Sequence, residues 1–132
     1  MALYLDSSAI VKLVVAEPGS AALRRFLRPH PERVSSALAI VEVLRALRQQ
    51  GGQAEDRGAK VLGRIRLLAV DHALLQQAAA LKPALLGSLD AIHLASAHAL
   101  GDDLDFVVTY DRRMCEAALA LGLPVRSPGL RV

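Results

Sequence analysis

Disulfides, tryptophan and long apolar runs are all missing from this 132-residue chain. Cys115 is the single cysteine, so no intrachain disulfide forms and a secreted disulfide scaffold is excluded. With no Trp, two Phe and two Tyr, the chain lacks the row of aromatics on which successive nucleic-acid bases could stack. Asp6, Lys12, Glu17 and Glu42 cut the apolar stretches well short of the ~20 residues that cross a bilayer. No basic residue precedes the first apolar stretch and Asp6 interrupts it, so no signal peptide is read there. A cytoplasmic protein without membrane association is expected. Charge of one sign is also scarce: 16 Lys+Arg stand against 13 Asp+Glu, a mild +3. Hydrophobic residues are plentiful, at 53 % against 22 % charged, which excludes a disordered chain. One domain over residues 1–132 is expected, large enough to fold without metal or disulfide.

Short apolar runs alternate with longer helical stretches. Residues 2–5 read as a buried strand ending at Asp6, and a helix from Ser7 is stopped by Glu17-Pro18-Gly19. A second helix runs from Ser20 to about Leu27 and carries Arg24, Arg25 and Arg28. Residues 33–35 form a minimal strand, and Ser36 is placed to cap a helix from Ala37 to about Gln50. A weaker helix covers about Gln53–Arg64, with a strand near Arg66–Val70. Asp71 caps a helix to about Leu81, and Ser88 caps another that ends at Gly101. Asp102, Asp103 and Asp105 read as an acidic loop before the β-branched strand Phe106–Thr109. Asp111 opens a last helix ended by Gly122, and Pro124–Arg126 fits an edge strand. This alternation predicts an α/β fold, a three-layer α/β/α sandwich around a short-stranded, mostly parallel sheet.

In such sheets ligands bind beyond the carboxyl ends of the strands. Asp6 follows the first strand and Asp111 follows Phe106–Thr109, which puts both on that edge. Each also suits a helix N-cap. Asp90 falls in a first helical turn, where an acid complements the helix dipole. Glu42 is different, because Ala37–Val41 precede it and Val43-Leu44 follow it, all apolar. A lone buried carboxylate costs several kcal/mol unless paired or bound to a cation, and Arg45 at i+3 is the local candidate.

Four segments carry a resemblance: LYLDSSAIVKL (3–13), SSALAIVEVLRAL (35–47), GSLDAIHLASAHAL (87–100) and FVVTYDRRMCEAALALGLPV (106–125). In order and spacing they resemble the signature blocks of PIN domains, and within that class the VapC-type toxins of toxin–antitoxin pairs. The resemblance spans residue 3 to about 125 and matches the family's four acids to Asp6, Glu42, Asp90 and Asp111. It implies a PIN-like fold and an endoribonuclease that cuts RNA phosphodiester bonds with Mg²⁺ or Mn²⁺. Metal contacts are implied above all for Asp6 and Asp90, with Glu42 and Asp111 completing the set. Glu42 or Asp111 would orient or deprotonate the attacking water. Thr109 matches the family's small hydroxyl residue two positions before the last acid. A small antitoxin covering the active site is implied, with a toxin homodimer or a larger assembly with the antitoxin. The alternative is a catalytically silent or housekeeping PIN domain that binds RNA or protein.

Residue chemistry agrees with that set, since hard divalent cations prefer oxygen ligands and crowded carboxylates repel without one. Setting the four acids aside leaves 16 Lys+Arg against nine acids, a surplus of seven around an acidic pocket. Arg24, Arg25, Arg28, Arg112 and Arg113 are candidates to line an RNA path, or simply solvated helix faces. His93, one turn beyond Asp90, reads as a hydrogen-bonded helix histidine rather than a ligand for a hard cation. Ser7 and Ser8 read as helix caps with no histidine partner in view, although Ser7 could hydrogen-bond within the site. Cys115, among Met114, Ala117 and Ala118, reads as core packing. Asp-Ser-Ser-Ala after the first strand is neither a Gly-rich phosphate loop nor the paired-Asp motif of haloacid-dehalogenase-type enzymes.

Overall fold

Alternation along the first strand decides the layering. In the computed structural model, which describes residues 1–130, β1 (Ala2–Leu5) is buried along its whole length. Leu3 and Leu5 join one apolar cluster, and Ala2 and Tyr4 join another, so the strand is covered on both faces. Around it lie β2 (Arg33–Ser36), β3 (Arg66–Leu68), β4 (Leu104–Val108) and β5 (Val125–Arg126). Among the described residues every pairing is parallel, in the order β3-β2-β1-β4-β5. The sheet is thus parallel throughout rather than mostly so.

One face carries α1 (Ser7–Val14), α2 (Ser20–Leu27), α3 (Leu38–Arg48) and α4 (Gly52–Leu62), packed on Leu3, Leu5 and Val108. On the other lie α5 (His72–Ala79), α6 (Ser88–His98) and α7 (Arg112–Ala120), of which α6 packs Ala97 on Tyr4, Val34 and Val107. The expected three-layer α/β/α sandwich is present. Each fully buried Leu in these clusters stabilises the fold by about 1.5–3 kcal/mol relative to exposure. Gly58 lets α4 approach α3 closely, since a Cβ there would lie 2.3 Å from Leu47 Cδ1. Among the described residues no helix is long and apolar enough to cross a membrane.

Several boundaries move for identifiable reasons. Ser36 stays in β2, paired with Leu68, so the helix N-cap passes to Ala37. The Ser36 hydroxyl still accepts from the Leu38 amide, at 3.1 Å. Ser88 is the first residue of α6 rather than its cap, because Gly87 ahead of it holds the extended cap backbone. Leu104 pairs with Ala2 and starts β4 two residues early, which draws Asp105 out of the acidic loop and into the sheet. Cys115 is half-buried, not core: Met114, Ala117 and Ala118 make the inward stripe of α7 and Cys115 lies one step round it.

Candidate active site

The strand order reverses at β1, whose neighbours β2 and β4 are followed on either side by β3 and β5. In an open parallel sheet a crevice forms at that switch, beyond the carboxyl ends of the strands. Asp6 closes β1 there, and Thr109, Tyr110 and Asp111 follow β4. Asp6 is only 4 % exposed and is tightly held. Its Oδ1 accepts from Ser8 Oγ at 2.6 Å and from the Ala9 amide at 3.0 Å, and its Oδ2 accepts from Thr109 Oγ1 at 2.5 Å. The amide bond is the N-cap of α1, so capping and site-building are one arrangement.

Thr109 extends this chain of bonds. Its Oγ1 accepts from the Asp111 amide at 3.1 Å, and its carbonyl accepts from Ser127 Oγ. Asp111 is itself the N-cap of α7, accepting from the Arg113 and Met114 amides. Ser8 Oγ also accepts from the Tyr110 amide at 3.0 Å. The ends of β1 and β4 are therefore cross-tied by hydroxyl side chains, which fixes where Asp6 points.

Glu42 is placed from the other direction. Arg45 is exposed and is not its partner among the described residues; instead Oε1 accepts from Ser7 Oγ at 2.6 Å and meets His93 Nε2 at 2.6 Å. His93 is 2 % exposed, and its Nδ1 lies 2.7 Å from the hydroxyl of fully buried Tyr4. Ser7 Oγ is also 3.3 Å from His93 Nε2, which corrects the reading that no histidine stands near that serine. The expectation of a hydrogen-bonded helix histidine is met, and so is that of Ser7 bonding within the site. What the residues did not reveal was the identity of Glu42's partner. Its one signal was His93 standing a turn beyond Asp90, on the face of α6 that bears the acid.

Electrostatics joins the acids into one group. Burial pushes Asp6 above the usual carboxylate range, against the pull of its hydrogen bonds from Ser8 and Thr109. Asp90, half-buried in the first turn of α6, is also raised, first by burial and then by the charges of Asp111, Asp6 and Glu42. Glu42 is held below its ordinary value: burial pushes it up, but the bonds from His93 and Ser7 outweigh that. Burial raises the Tyr110 hydroxyl to about 12, with Asp6 adding to the effect. Asp90 thus feels the charges of the other three predicted acids. Arg112 and Arg113 are exposed at the start of α7, beside Asp111 in the chain.

This donor set suits a hard divalent cation: carboxylate oxygens, with mutual repulsion that a cation would relieve. Among the described residues no three His, Cys, Asp or Glu side chains already gather tightly enough to hold an ion. Mg²⁺ keeps several waters and takes one or two carboxylates directly. A cleft of about 410 Å³ opens beside Glu42, lined by Ser7, Ser8, Lys12, Glu17 and Tyr110. A larger cavity, about 570 Å³, lies between α5 and α6 against Leu75, Leu81, Leu86 and Ile92. It is apolar and touches none of the four acids, so the acid-bearing edge, not this cavity, holds the candidate chemistry.

Comparison with known proteins gives the same edge a context. The family model described as PIN domain matches residues 3–119. The chain is 54 % identical over 127 residues to Ribonuclease VapC46 of Mycobacterium tuberculosis, covering 96 % of this chain and 98 % of that protein. Its fold is similar to the crystal structure of Mycobacterium tuberculosis VapC20, described as a sarcin–ricin loop cleaving toxin. There the TM-score is 0.73 at 18 % identity, over 87 % of this chain and 94 % of that one. It is similar also to a toxin–antitoxin complex from Klebsiella pneumoniae, with a TM-score of 0.72 at 21 % identity, over 97 % and 98 % of the two chains.

Proposed function

The chain belongs to the PIN domain family, and from that membership we propose that it is a metal-dependent endoribonuclease and the toxin of a toxin–antitoxin pair. The observation that carries the reading is geometric: Thr109 ties Asp6 to the Asp111 amide beyond the carboxyl ends of β1 and β4, and Asp90, raised first by burial, feels the charges of both. The name of the 54 %-identical relative, a ribonuclease, supports the reaction class. Asp6 and Asp90 would hold Mg²⁺ or Mn²⁺, with Glu42 and Asp111 closing the set. When bound, such an ion neutralises phosphate charge and makes water a nucleophile near neutral pH.

The remaining work falls to the chain's own groups. Ser8, Thr109 and the Ala9 amide hold Asp6 with its two oxygens fixed. Glu42, kept ionised by His93 and Ser7, is placed to orient the attacking water, and Glu42 or Asp111 takes its proton. Asp111 is the other carboxylate at this edge, and Arg112 beside it offers a phosphate contact. The surplus of basic residues outside the pocket favours a polyanion.

An antitoxin covering the pocket fits the apolar surface in the same segments. Ile40 and Val41, preceding Glu42, are 43 % and 56 % exposed, and Leu89, preceding Asp90, is 49 % exposed. The Klebsiella structure of similar fold is described as a toxin–antitoxin complex. We assign the protein to the cytoplasm, as a homodimer that assembles with the antitoxin. The test is cleavage of end-labelled single-stranded RNA by the purified chain. Cutting that needs Mg²⁺ or Mn²⁺, stops with EDTA and returns on re-addition supports the reading. Metal-independent cutting, or none with either ion, contradicts it.

A further inference from the structure

His93 lies outside the four acids, yet it is almost fully buried and joined to one of them. Its ring bridges two layers of the fold. Nδ1 meets the Tyr4 hydroxyl at 2.7 Å on the sheet, and Nε2 meets Glu42 Oε1 at 2.6 Å on α3, a helix of the opposite layer. A tyrosine hydroxyl is protonated at neutral pH and is able to donate to Nδ1. A carboxylate only accepts, so Nε2 carries a proton and donates it to Glu42. Ser7 Oγ donates to the same Oε1, at 2.6 Å. Both bonds therefore fall on one carboxylate oxygen, and Oε2 is without a partner among the described residues. The rings of Tyr4 and His93 also pack edge to face, with centroids 5.8 Å apart, which holds the imidazole plane.

The placement on the secondary structure tightens the case. Tyr4 and Asp6 are two apart on and just past β1, and Asp90 and His93 are three apart on α6. One strand and one helix each bear an acid of the site and a member of this bridge. Glu42, on a third element, is thereby registered against both.

We propose that His93, anchored by Tyr4, is a positioning residue that holds Glu42 by Oε1 and leaves Oε2 free to act in the pocket. This rests on the function proposed above, and the test separates the two. In RNA cleavage, His93→Leu lowers kcat about 10–100-fold, the usual scale for groups that orient an active-site ligand, with KM for RNA unchanged. His93→Gln, which keeps a donor near Nε2, recovers most of the loss, and Tyr4→Phe costs a few-fold. Equal kcat in His93→Leu and wild type overturns the proposal. So does an equal fall in both His93 variants together with lower melting temperatures, which marks a purely structural role.

A second readout needs no activity. In the imidazole NMR spectrum of the metal-free protein, His93 shows a slowly exchanging downfield proton on Nε2, which Glu42→Gln moves upfield. A proton that is missing, or indifferent to Glu42→Gln, overturns the bridge. If wild type cuts no RNA while this proton behaves as stated, the proposed function fails and the bridge stands.

Discussion

Asp6 and Glu42 reach the same edge by opposite means. Asp6 is held by neighbours in its own turn, Ser8 and Ala9, and by Thr109 at the end of the adjacent strand. Glu42 sits mid-helix and is held by groups far away in the chain, His93 51 residues on and Ser7 35 residues back. Burial wins at Asp6, whose carboxyl is raised, whereas hydrogen bonding wins at Glu42, which is lowered. A raised carboxyl is a group a cation would stabilise, whereas a lowered one stays ionised as a hydrogen-bond acceptor and holds a proton less tightly. The two acids thus sit in opposite electrostatic states.

Substitutions at the two places break that contrast to different degrees. The largest effect is expected for Asp6→Asn and Asp90→Asn, each lowering RNA cleavage by more than about 10³-fold, on the scale of losing electrostatic stabilisation of the reacting charges. Circular dichroism checks that both variants fold. Next comes Thr109→Val, which leaves Asp6 Oδ2 and the Asp111 amide without their shared partner. Stranded buried polar groups cost about 1–3 kcal/mol, so urea unfolding shows a clear loss, and cleavage falls with it.

A smaller effect sharpens the electrostatic side. Asp90 has a raised pKa in the fold, so the native state binds its proton more tightly than the unfolded chain does. Its contribution to stability is complete below the ordinary Asp value and is lost as pH rises through the raised one. Metal-free wild type therefore loses melting temperature as pH climbs from about 4 towards neutrality, relative to Asp90→Asn. At neutral pH, Asp90→Asn melts higher than wild type without metal, and the order narrows or reverses when Mg²⁺ is added. The smallest effect is expected for Arg112→Ala: a few-fold rise in KM for RNA at low salt that fades as salt increases, as for one phosphate contact.

The same contrast explains what could be read from the residues. Asp6 and Asp111 were legible because a carboxylate after a strand and before a helix obeys local rules, capping and the carboxyl-edge site at once. The layers were legible because short apolar runs alternating with helices leave few topologies. Apart from the family resemblance, Glu42 was legible only as a problem, an acid among apolar neighbours needing a partner. The nearest candidate, Arg45, was the wrong one, because α3 turns Glu42 towards α6 and leaves Arg45 in solvent. His93 and Tyr4 meet across 89 residues, and no local pattern in either segment encodes that contact. Ser36 and Ser88 were misplaced by a residue because capping propensity does not say where a strand lets go or which residue holds the extended turn.

Crystals soaked in Mn²⁺ and measured for anomalous scattering test most directly whether these carboxylates make one metal site. The account predicts a peak at the carboxyl edge between Asp6 and Asp90, absent from Asp90→Asn crystals. A pocket without a peak in wild type, or an ion held only at exposed acids such as Asp102 and Asp103, would contradict it.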